Sequence, residues 1–343
     1  MIEIDGAHEE GGGSILRLSL ALSIYTKKPF RIINIRKARK KPGLNSQNLA
    51  SIELARQVCN AKVVGAKRGS YELEFYPSEM VPKNIEIDIG SAGSIVLALQ
   101  SVFLPCTLSG KNYTFTITGG TDVAWSPGYD YFNEVFLPLF ENYARFDCRL
   151  LKRGYYPKGG GKMTLRITSL KDSLLKPLVL TNLGRLITIK GVSNASKDLE
   201  SINFADEEAD AATAMLSDYD TPINITRTYS ESNNTGSGLL VYGVFEKEEK
   251  IFKTGIFRVS PKIQGTVSEE VITDFKKLIE QNIPVDEFFA DQLVPFLAIF
   301  GGEIKTTPMD EHLSKHMLSN IHVTSLFVDK KIYFTNDGFI SCK

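Results

Sequence analysis

The sequence is poor in the residues that mark the commonest kinds of site. It has four cysteines, Cys59, Cys106, Cys148 and Cys342, scattered with no C-x-x-C pair among them. That spacing suits neither a disulfide framework nor a thiolate metal centre, and reduced thiols in an intracellular chain are the simplest reading. There are four histidines and a single tryptophan. His312 and His316 stand at i,i+4, but Leu-Ser-Lys separates them instead of the Glu-x-x of a zinc protease. Net charge is absent as well: Lys+Arg and Asp+Glu both number 40. No bulk positive field holds nucleic acid to such a chain, although a local basic site remains open. No apolar run is long enough to span a membrane, and residues 1–20 lack the basic-then-apolar order of a signal peptide, so a soluble cytoplasmic protein is expected. The familiar phosphate loops are missing too. Residues 153–162, RGYYPKGGGK, fail the Walker A pattern at Tyr156 and Met163, and there is no G-x-G-x-x-G.

What is present is a well-packed composition, 43% hydrophobic and 10% aromatic, in a chain of 343 residues, which suits two or three domains. The chain is organised around its first stretch, IEIDGAHEEGGGSILR. This reads as a short strand, an acidic and glycine-rich turn, then an amphipathic helix with Arg17 on its first turn. Three consecutive glycines, Gly11, Gly12 and Gly13, cost backbone entropy and make sense where a backbone or ligand comes very close. Glu9 and Glu10 precede them, so a phosphate here would need a metal ion or nearby Arg and Lys. A tight turn with a solvated acidic tip accounts for the same residues. The phrase recurs at residues 85–97, IEIDIGSAGSIVL, where Gly93-Ser94-Ile95 repeats Gly13-Ser14-Ile15. A spacing of about 80 residues exceeds a solenoid unit and suits duplicated αβ subdomains, each a small sheet with helices on one face. A third glycine cluster, Gly159-Gly160-Gly161, follows at a comparable interval.

Residues 27–41 carry Lys27, Lys28, Arg31, Arg36, Lys37, Arg39, Lys40 and Lys41 with no acid among them. Phe30, Ile32, Ile33 and Ile35 alternate with these charges, which predicts a strand with one apolar face, ended by Pro42-Gly43. A solvated edge strand guarded by charge explains most of the lysines; Arg36 and Arg39 could equally hold phosphate. Residues 45–59 read as a helix with Gln47 in its first turn. Residues 91–104 read as a largely apolar helix in which Gln100 is a buried hydrogen-bonding group. A strand at 114–118 leads into GGTDVAWSPGYDYF and a helix at 129–144. The loop between them carries Trp125, Pro127 and Asp130, and a loop in that place favours ligand contact.

From residue 183 the character changes. Strands at 186–191, 224–228 and 239–245 and helices at 199–216 and 267–280 suggest a small inserted αβ domain at 183–273. It would separate a main part, 1–182, from its last part, 274–343. Residues 287–300, EFFADQLVPFLAIF, form a predicted helix in which Asp291 and Gln292 interrupt apolar sequence. An unpartnered buried carboxylate is expensive, so Asp291 either pairs with a cation or faces a cleft. Ser319 is a good N-cap for a helix running to residue 328, which places His316 at the approach to a helix N-terminus. A neutral imidazole there could attack an activated phosphorus, with metal and arginine stabilising the charge.

IDGAHEEGGGSILR, IRKARKKPGLNSQNL, IGSAGSIVLALQ, GGTDVAWSPGYDYF, RGYYPKGGG, FFADQLVPFLA and HMLSNI together resemble the RNA 3′-terminal phosphate cyclases over nearly the whole chain. Their number and order make the match specific. The resemblance implies an α+β fold of tandem repeated βαβαββ-like subdomains, similar to the C-terminal domain of translation initiation factor 3, with a smaller inserted αβ domain. It implies an ATP-dependent enzyme that works with a divalent metal, Mg or Mn, on RNA bearing a 3′-phosphate. His316 matches the histidine that takes AMP from ATP, in H-x-x-[ST]-N. AMP then passes to the RNA 3′-phosphate, and attack by the vicinal 2′-hydroxyl gives a 2′,3′-cyclic phosphate. Glu10 matches the metal-binding acid. Arg17, Arg36 and Arg39 match arginines that hold phosphates, and Gln47, Gln100, Pro127, Asp130, Asp291 and Gln292 are assigned with them to the nucleotide and phosphate pocket. Two positions depart from the family pattern: Asn48 stands in a frequent Gln-His-Leu, and Phe288-Phe289 replaces a common tyrosine before Ala-Asp-Gln. The competing expectation is a non-catalytic cyclase-like factor of ribosome assembly, against which the presence of both His316 and Glu10 argues. A generic RNA-binding module without ATP is a third reading, weakened by net neutrality and the lack of an aromatic RNA-binding signature.

Overall fold

The computed structural model describes residues 1–170, 175–260, 265–308 and 314–342; His312 lies outside them. The first unit runs β1 (Ile2–Asp5), α1 (Gly13–Thr26), β2 (Phe30–Ile33), α2 (Ser46–Cys59), β3 (Lys62–Val64) and β4 (Leu73–Tyr76). Its sheet has the order β1-β2-β4-β3, with β1 parallel to β2 and the other pairs antiparallel. A helical crossover is what a parallel pair requires, and α1 supplies it. The second unit repeats this plan. It runs β5 (Lys83–Asp88), α3 (Ile95–Thr107), β6 (Asn112–Gly119), a short α4 (Tyr129–Tyr131), β7 (Ala144–Lys152) and β8 (Gly161–Ser169). The order β5-β6-β8-β7 is the same, again with only the first pair parallel.

A third unit begins at β9 (Leu178–Leu180) and is interrupted at once. The interruption holds β10 (Arg185–Ser196), α5 (Phe204–Met215), β11 (Ile223–Ser230), β12 (Ser237–Lys247), β13 (Lys250–Val259) and α6 (Ser268–Glu280). The unit then resumes with α7 (Glu287–Phe300), β14 (Gly302–Lys305), α8 (Lys315–Phe327), β15 (Ile332–Phe334) and β16 (Phe339–Cys342). Its sheet, β9-β14-β16-β15, has the topology of the other two. The inserted sheet does not: its order is β11-β10-β12-β13.

Alternation explains the sheets. In β6, NYTFTITG, Tyr113, Phe115 and Ile117 turn inward while the threonines between them face outward. The inward faces of all three units meet in one core, where Leu16 and Leu20 of α1, Val102 and Phe103 of α3, Phe296 of α7 and Phe327 of α8 pack together. Phe103 sits near its centre, with ring centroids 5.1 Å from Phe136, 5.3 Å from Phe140 and 5.5 Å from Phe146. The insert has its own core of Ile189, Leu239, Val241, Val271 and Phe275. Strand β12 is covered on both faces: Leu240, Tyr242 and Val244 point into the main core, while Leu239 and Val241 point into the insert's. All of α6 packs with α5, β12 and β13, so we place the end of the inserted unit beyond that helix.

Three local expectations change. The charged stretch after residue 33 is not an edge strand. β2 lies between β1 and β4, and it ends where Asn34 (φ 56°) and Arg36 (φ 53°) turn the chain left-handed. The expected helix at 129–144 shortens after Tyr131 into one π turn and one 3₁₀ turn ending at Phe140, and Ala144 already opens β7. Gly159-Gly160-Gly161 opens no repeat. It forms the turn into β8, where a Cβ on Gly161 would lie 2.5 Å from the Gly154 nitrogen.

The loop after β6 is held by a buried ion network. Arg153 Nη1 donates to Asp122 Oδ1 and Oδ2 at 3.1 and 2.9 Å, and Nη2 donates to Asp130 Oδ2 at 2.8 Å. Asn194 of the insert donates to the same Asp130 oxygen at 3.4 Å and accepts from the Tyr155 hydroxyl at 2.7 Å. Asp130, expected at the nucleotide pocket, thus bonds both Arg153 of the second unit and Asn194 of the insert. Removing the cation leaves two carboxylates buried without it, so Arg153→Met is expected to cost about 3–5 kcal/mol in denaturant unfolding. A loss below about 1 kcal/mol would show that the network is not what holds this junction.

Candidate active site

The turn between β1 and α1 is fastened to α8 from the far end of the chain. The Glu10 amide donates to Ser319 Oγ at 3.2 Å, and Ser319 Oγ donates to the His8 carbonyl at 3.2 Å. The His8 ring stacks on His322 of the same helix, with centroids 4.0 Å apart. Ser319 is therefore inside α8 and buried. The N-cap is Ser314, whose hydroxyl accepts from the Met317 amide at 3.0 Å. This corrects the expected start of the helix and puts His316 on its first turn.

Glu10 is the centre of the site, its side chain only 6% exposed. It pairs with Arg39, accepts from Ser14 Oγ at 3.3 Å and faces His316 Nε2 at 3.7 Å. The glycines after it make room for charged side-chain ends. A Cβ on Gly12 would sit 2.0 Å from both Glu10 carboxylate oxygens, and one on Gly13 would sit 2.8 Å from Arg17 Nη1. Gly11 supplies the left-handed turn itself, at φ 59°.

Burial, followed by the positive charges of Arg39 and Arg17, holds the His316 imidazole below the ordinary histidine value. The ring is neutral at neutral pH and keeps a lone pair, which is the state a nucleophile needs. Arg17 is buried, and burial lowers it to about 10, so it stays charged. Its Nε donates to Gln100 Oε1 at 3.1 Å, Gln100 Nε2 donates to Gln292 Oε1 at 2.7 Å, and Gln292 Nε2 donates to the Phe288 carbonyl at 3.1 Å. This relay crosses α1, α3 and α7, one helix from each unit. Gln100 is thus hydrogen-bonded, as its place in an apolar helix suggested, and it also sets the arginine.

These helices enclose a cavity of about 60 Å³. Arg17, Gln100, Asp291, Gln292 and Asn320 line its polar side, and Phe103, Phe132, Phe136 and Phe296 its apolar side. Asp291 faces this cleft, and no cation pairs with it among the described residues. Burial first, then the charges of Glu287 and Asp286, push its carboxyl up to about 8, against a weak Ser314 hydrogen bond at 3.4 Å. The Asn320 amide holds the Asp291 carbonyl at 2.8 Å.

The structure therefore brings together Glu10, Arg17, Arg39, Gln100, Asp291, Gln292 and His316. Of the other expected residues, Arg36 and Gln47 make connections of their own. Arg36 Nη1 donates to the Gly43 carbonyl at 2.9 Å and shapes the basic loop. Gln47 Oε1 accepts from the Ser94 amide at 2.9 Å, tying α2 to the start of α3. Pro127 is half-buried in the β6–α4 loop. Ser14, Ser319 and Asn320 were missed. Only the S-N of the HMLSN phrase hinted at the last two, because their partners lie in distant segments. Asn48, a departure from the family pattern, completes a capping box with Asn45 at the start of α2.

A neutral imidazole beside a buried carboxylate, with two guanidinium groups within reach, suits transfer of a phosphorus-bound group: nucleophile and charge stabilisation. The fold and site define a three-unit α+β protein with that chemistry available. The family model described as RNA 3′-terminal phosphate cyclase matches residues 8–334. The chain is 38% identical over 339 residues to the RNA 3′-terminal phosphate cyclase of Thermococcus onnurineus, covering 96% of this chain and 94% of that one. It is 36% identical to that of Archaeoglobus fulgidus, covering 99% of both, and 38% identical to that of Methanococcoides burtonii, covering 96% of both. The chain belongs to the RNA 3′-terminal phosphate cyclase family. Among the described residues no helix is long and apolar enough to cross a membrane.

The raised Asp291 carboxyl has a consequence for stability. Folded Asp291 keeps a proton that the unfolded chain has already released, so its contribution to stability declines as pH rises from about 4 toward 8. Asp291→Asn removes that penalty. The melting temperature of the variant is expected to exceed wild type by about 2 °C or more at pH 8 and to match it near pH 4. Equal shifts at both pH values would mean that Asp291 ionises normally.

Proposed function

We propose that this chain converts an RNA 3′-terminal phosphate to a 2′,3′-cyclic phosphate at the expense of ATP. The observation that carries the reading is His316, held neutral and facing Glu10, with Arg39 and Arg17 on either side. In the first step His316 Nε2 attacks the α-phosphorus of ATP, the bond to the β-phosphate breaks and pyrophosphate leaves, giving a histidine phosphoramidate of AMP. In the second, an oxygen of the RNA 3′-phosphate attacks that phosphorus, the P–N bond breaks and RNA(3′)pp(5′)A forms. In the third, the ribose 2′-hydroxyl attacks the 3′-phosphorus, loses its proton and displaces AMP. That ring closure needs little beyond orientation, because nucleophile and electrophile share one ribose.

Each charged group has a matching task. Arg39 is half-exposed and can exchange its Glu10 partner for a phosphate, while buried Arg17 is a fixed positive charge set by Gln100. The relay Gln100–Gln292 and the carboxyl of Asp291 supply polar groups at the edge of the same cleft. Glu10 suits a hard divalent metal, Mg or Mn, that takes most of its ligands from water and phosphate oxygens and needs only one or two carboxylates. When bound, such an ion would neutralise triphosphate charge beside the carboxylate.

Two outcomes test this. With α-phosphate-labelled ATP and a divalent metal, wild type is expected to take up label that is labile to acid and stable to alkali, and His316→Ala none. An unlabelled wild type across metals and temperatures would favour a non-catalytic assembly factor instead. In Gly12→Ala the added methyl meets the Glu10 carboxylate and drives it from its place beside Arg39 and Ser14, so the variant is expected to fold but to melt below wild type. Its labelling rate should fall by about a hundredfold as that carboxylate is displaced. A rate near wild type would remove Glu10 from the reaction.

A further inference from the structure

The basic loop after β2 does more than supply Arg39 to the site. It lies along the β3–β4 hairpin: the Leu44 amide donates to the Ser70 carbonyl at 3.0 Å, the Gly69 amide to the Leu44 carbonyl at 2.8 Å, and the Ile35 amide to the Tyr71 carbonyl at 3.0 Å. The two backbones touch so closely that a Cβ on Gly43 would lie 2.4 Å from the Gly69 carbonyl oxygen. This zipping brings the loop of Lys37, Lys40 and Lys41 against the loop of Lys67 and Arg68, and all five side chains are exposed. None of the five has an ion pair or side-chain hydrogen bond among the described residues. Neighbouring cations of the same unit do: Lys27 pairs with Glu79, Arg31 with Glu72 and Arg56 with Glu53. No acid occurs in residues 27–41 or 61–70. In a chain of zero net charge, five unpaired like charges on adjoining loops repel one another and await an anionic partner.

The face also has a direction. Ala38, between Lys37 and Arg39, lies against the Glu10 turn, where a Cβ on Gly11 would come 3.7 Å from its methyl. Arg39, next along, pairs with Glu10, which faces His316. A run of positive charge therefore leads straight off the reacting end of the site. We propose that this two-loop face is the track for the RNA strand upstream of its 3′ end, where lysines and one arginine follow successive backbone phosphates without reading sequence. The proposal rests on the cyclase reading above, and its partner is a single strand of several nucleotides, not the terminal one.

The test combines Lys37→Gln, Lys40→Gln, Lys41→Gln, Lys67→Gln and Arg68→Gln in one chain, all on exposed side chains. With a longer 3′-phosphorylated oligonucleotide, KM is expected to rise about tenfold or more at unchanged kcat. With a 3′-phosphorylated dinucleotide, and in labelling of His316 by ATP alone, the variant should match wild type. Binding of the longer strand, followed by fluorescence anisotropy, should show a log–log salt slope smaller by about 0.7 for each phosphate contact removed. Replacing the same lysines by arginine should restore KM. Equal effects on both lengths, or none on either, would overturn the track while ATP labelling stays intact. Failure of labelling in wild type would instead overturn the cyclase reading, and anisotropy of wild type against variant would still decide whether this face holds single-stranded RNA.

Discussion

Everything at the site depends on one junction, where the Glu10 turn meets α8 through Ser319, 309 residues along the chain. Glu10 is nearly buried, and a carboxylate removed from water is tolerated only among cations and donors. Here the carboxylate's partners come from two elements, Ser14 from α1 and Arg39 from the basic loop, while the Ser319 hydroxyl accepts from the Glu10 amide and fixes the backbone. Should α8 shift, Glu10 loses its anchor and His316 loses its neighbour together. The charge density of the site is costly. Asp291 illustrates the cost, since in the free protein its burial is relieved by taking up a proton.

The three units show how one plan is put to different uses. The place between the first strand and first helix carries Glu10 in the first unit. In the second unit the same place carries Ser94, which caps α3 by accepting from the Leu97 amide and anchors Gln47. In the third it is where the entire insert enters. Equivalent helices α1, α3 and α7 then contribute Arg17, Gln100 and Gln292 to a single relay. Near-symmetric packing places three related helices around one cleft, and divergence in their side chains makes it a site.

The insert is bound to this body on two kinds of contact. Strand β12 lends alternate side chains to two cores, which is possible only because it is covered on both faces. Asp130 and Arg153 add a polar clamp in which Asn194 takes part. Tyr242 and Lys253 add contacts to Glu134, at 3.1 and 3.3 Å. The insert therefore sits as a fixed neighbour of the β6–α4 loop that carries Pro127.

Much of this was legible from the residues. Alternation and helical spacing located most elements, the IEID-to-Gly-Ser-Ile recurrence announced a repeated unit, and the ordered family phrases pointed to His316, Glu10 and the arginines. These signals are local, or are carried by motifs whose spacing survives in the chain. What escaped was set by partners distant in sequence. Asp130 was expected at the nucleotide pocket, and its bonds to Arg153 and Asn194 could not be read from the sequence. Ser319 looked like a helix cap, yet its hydroxyl serves the Glu10 turn. The lysines after residue 33 looked like guards of an edge strand, yet left-handed residues at 34 and 36 end that strand in mid-sheet. By itself the sequence determined the periodicities, the repeated plan and the chemical inventory of the site. Only the tertiary structure decided which polar groups face one another, because burial and pairing are properties of three-dimensional neighbours that no local pattern encodes.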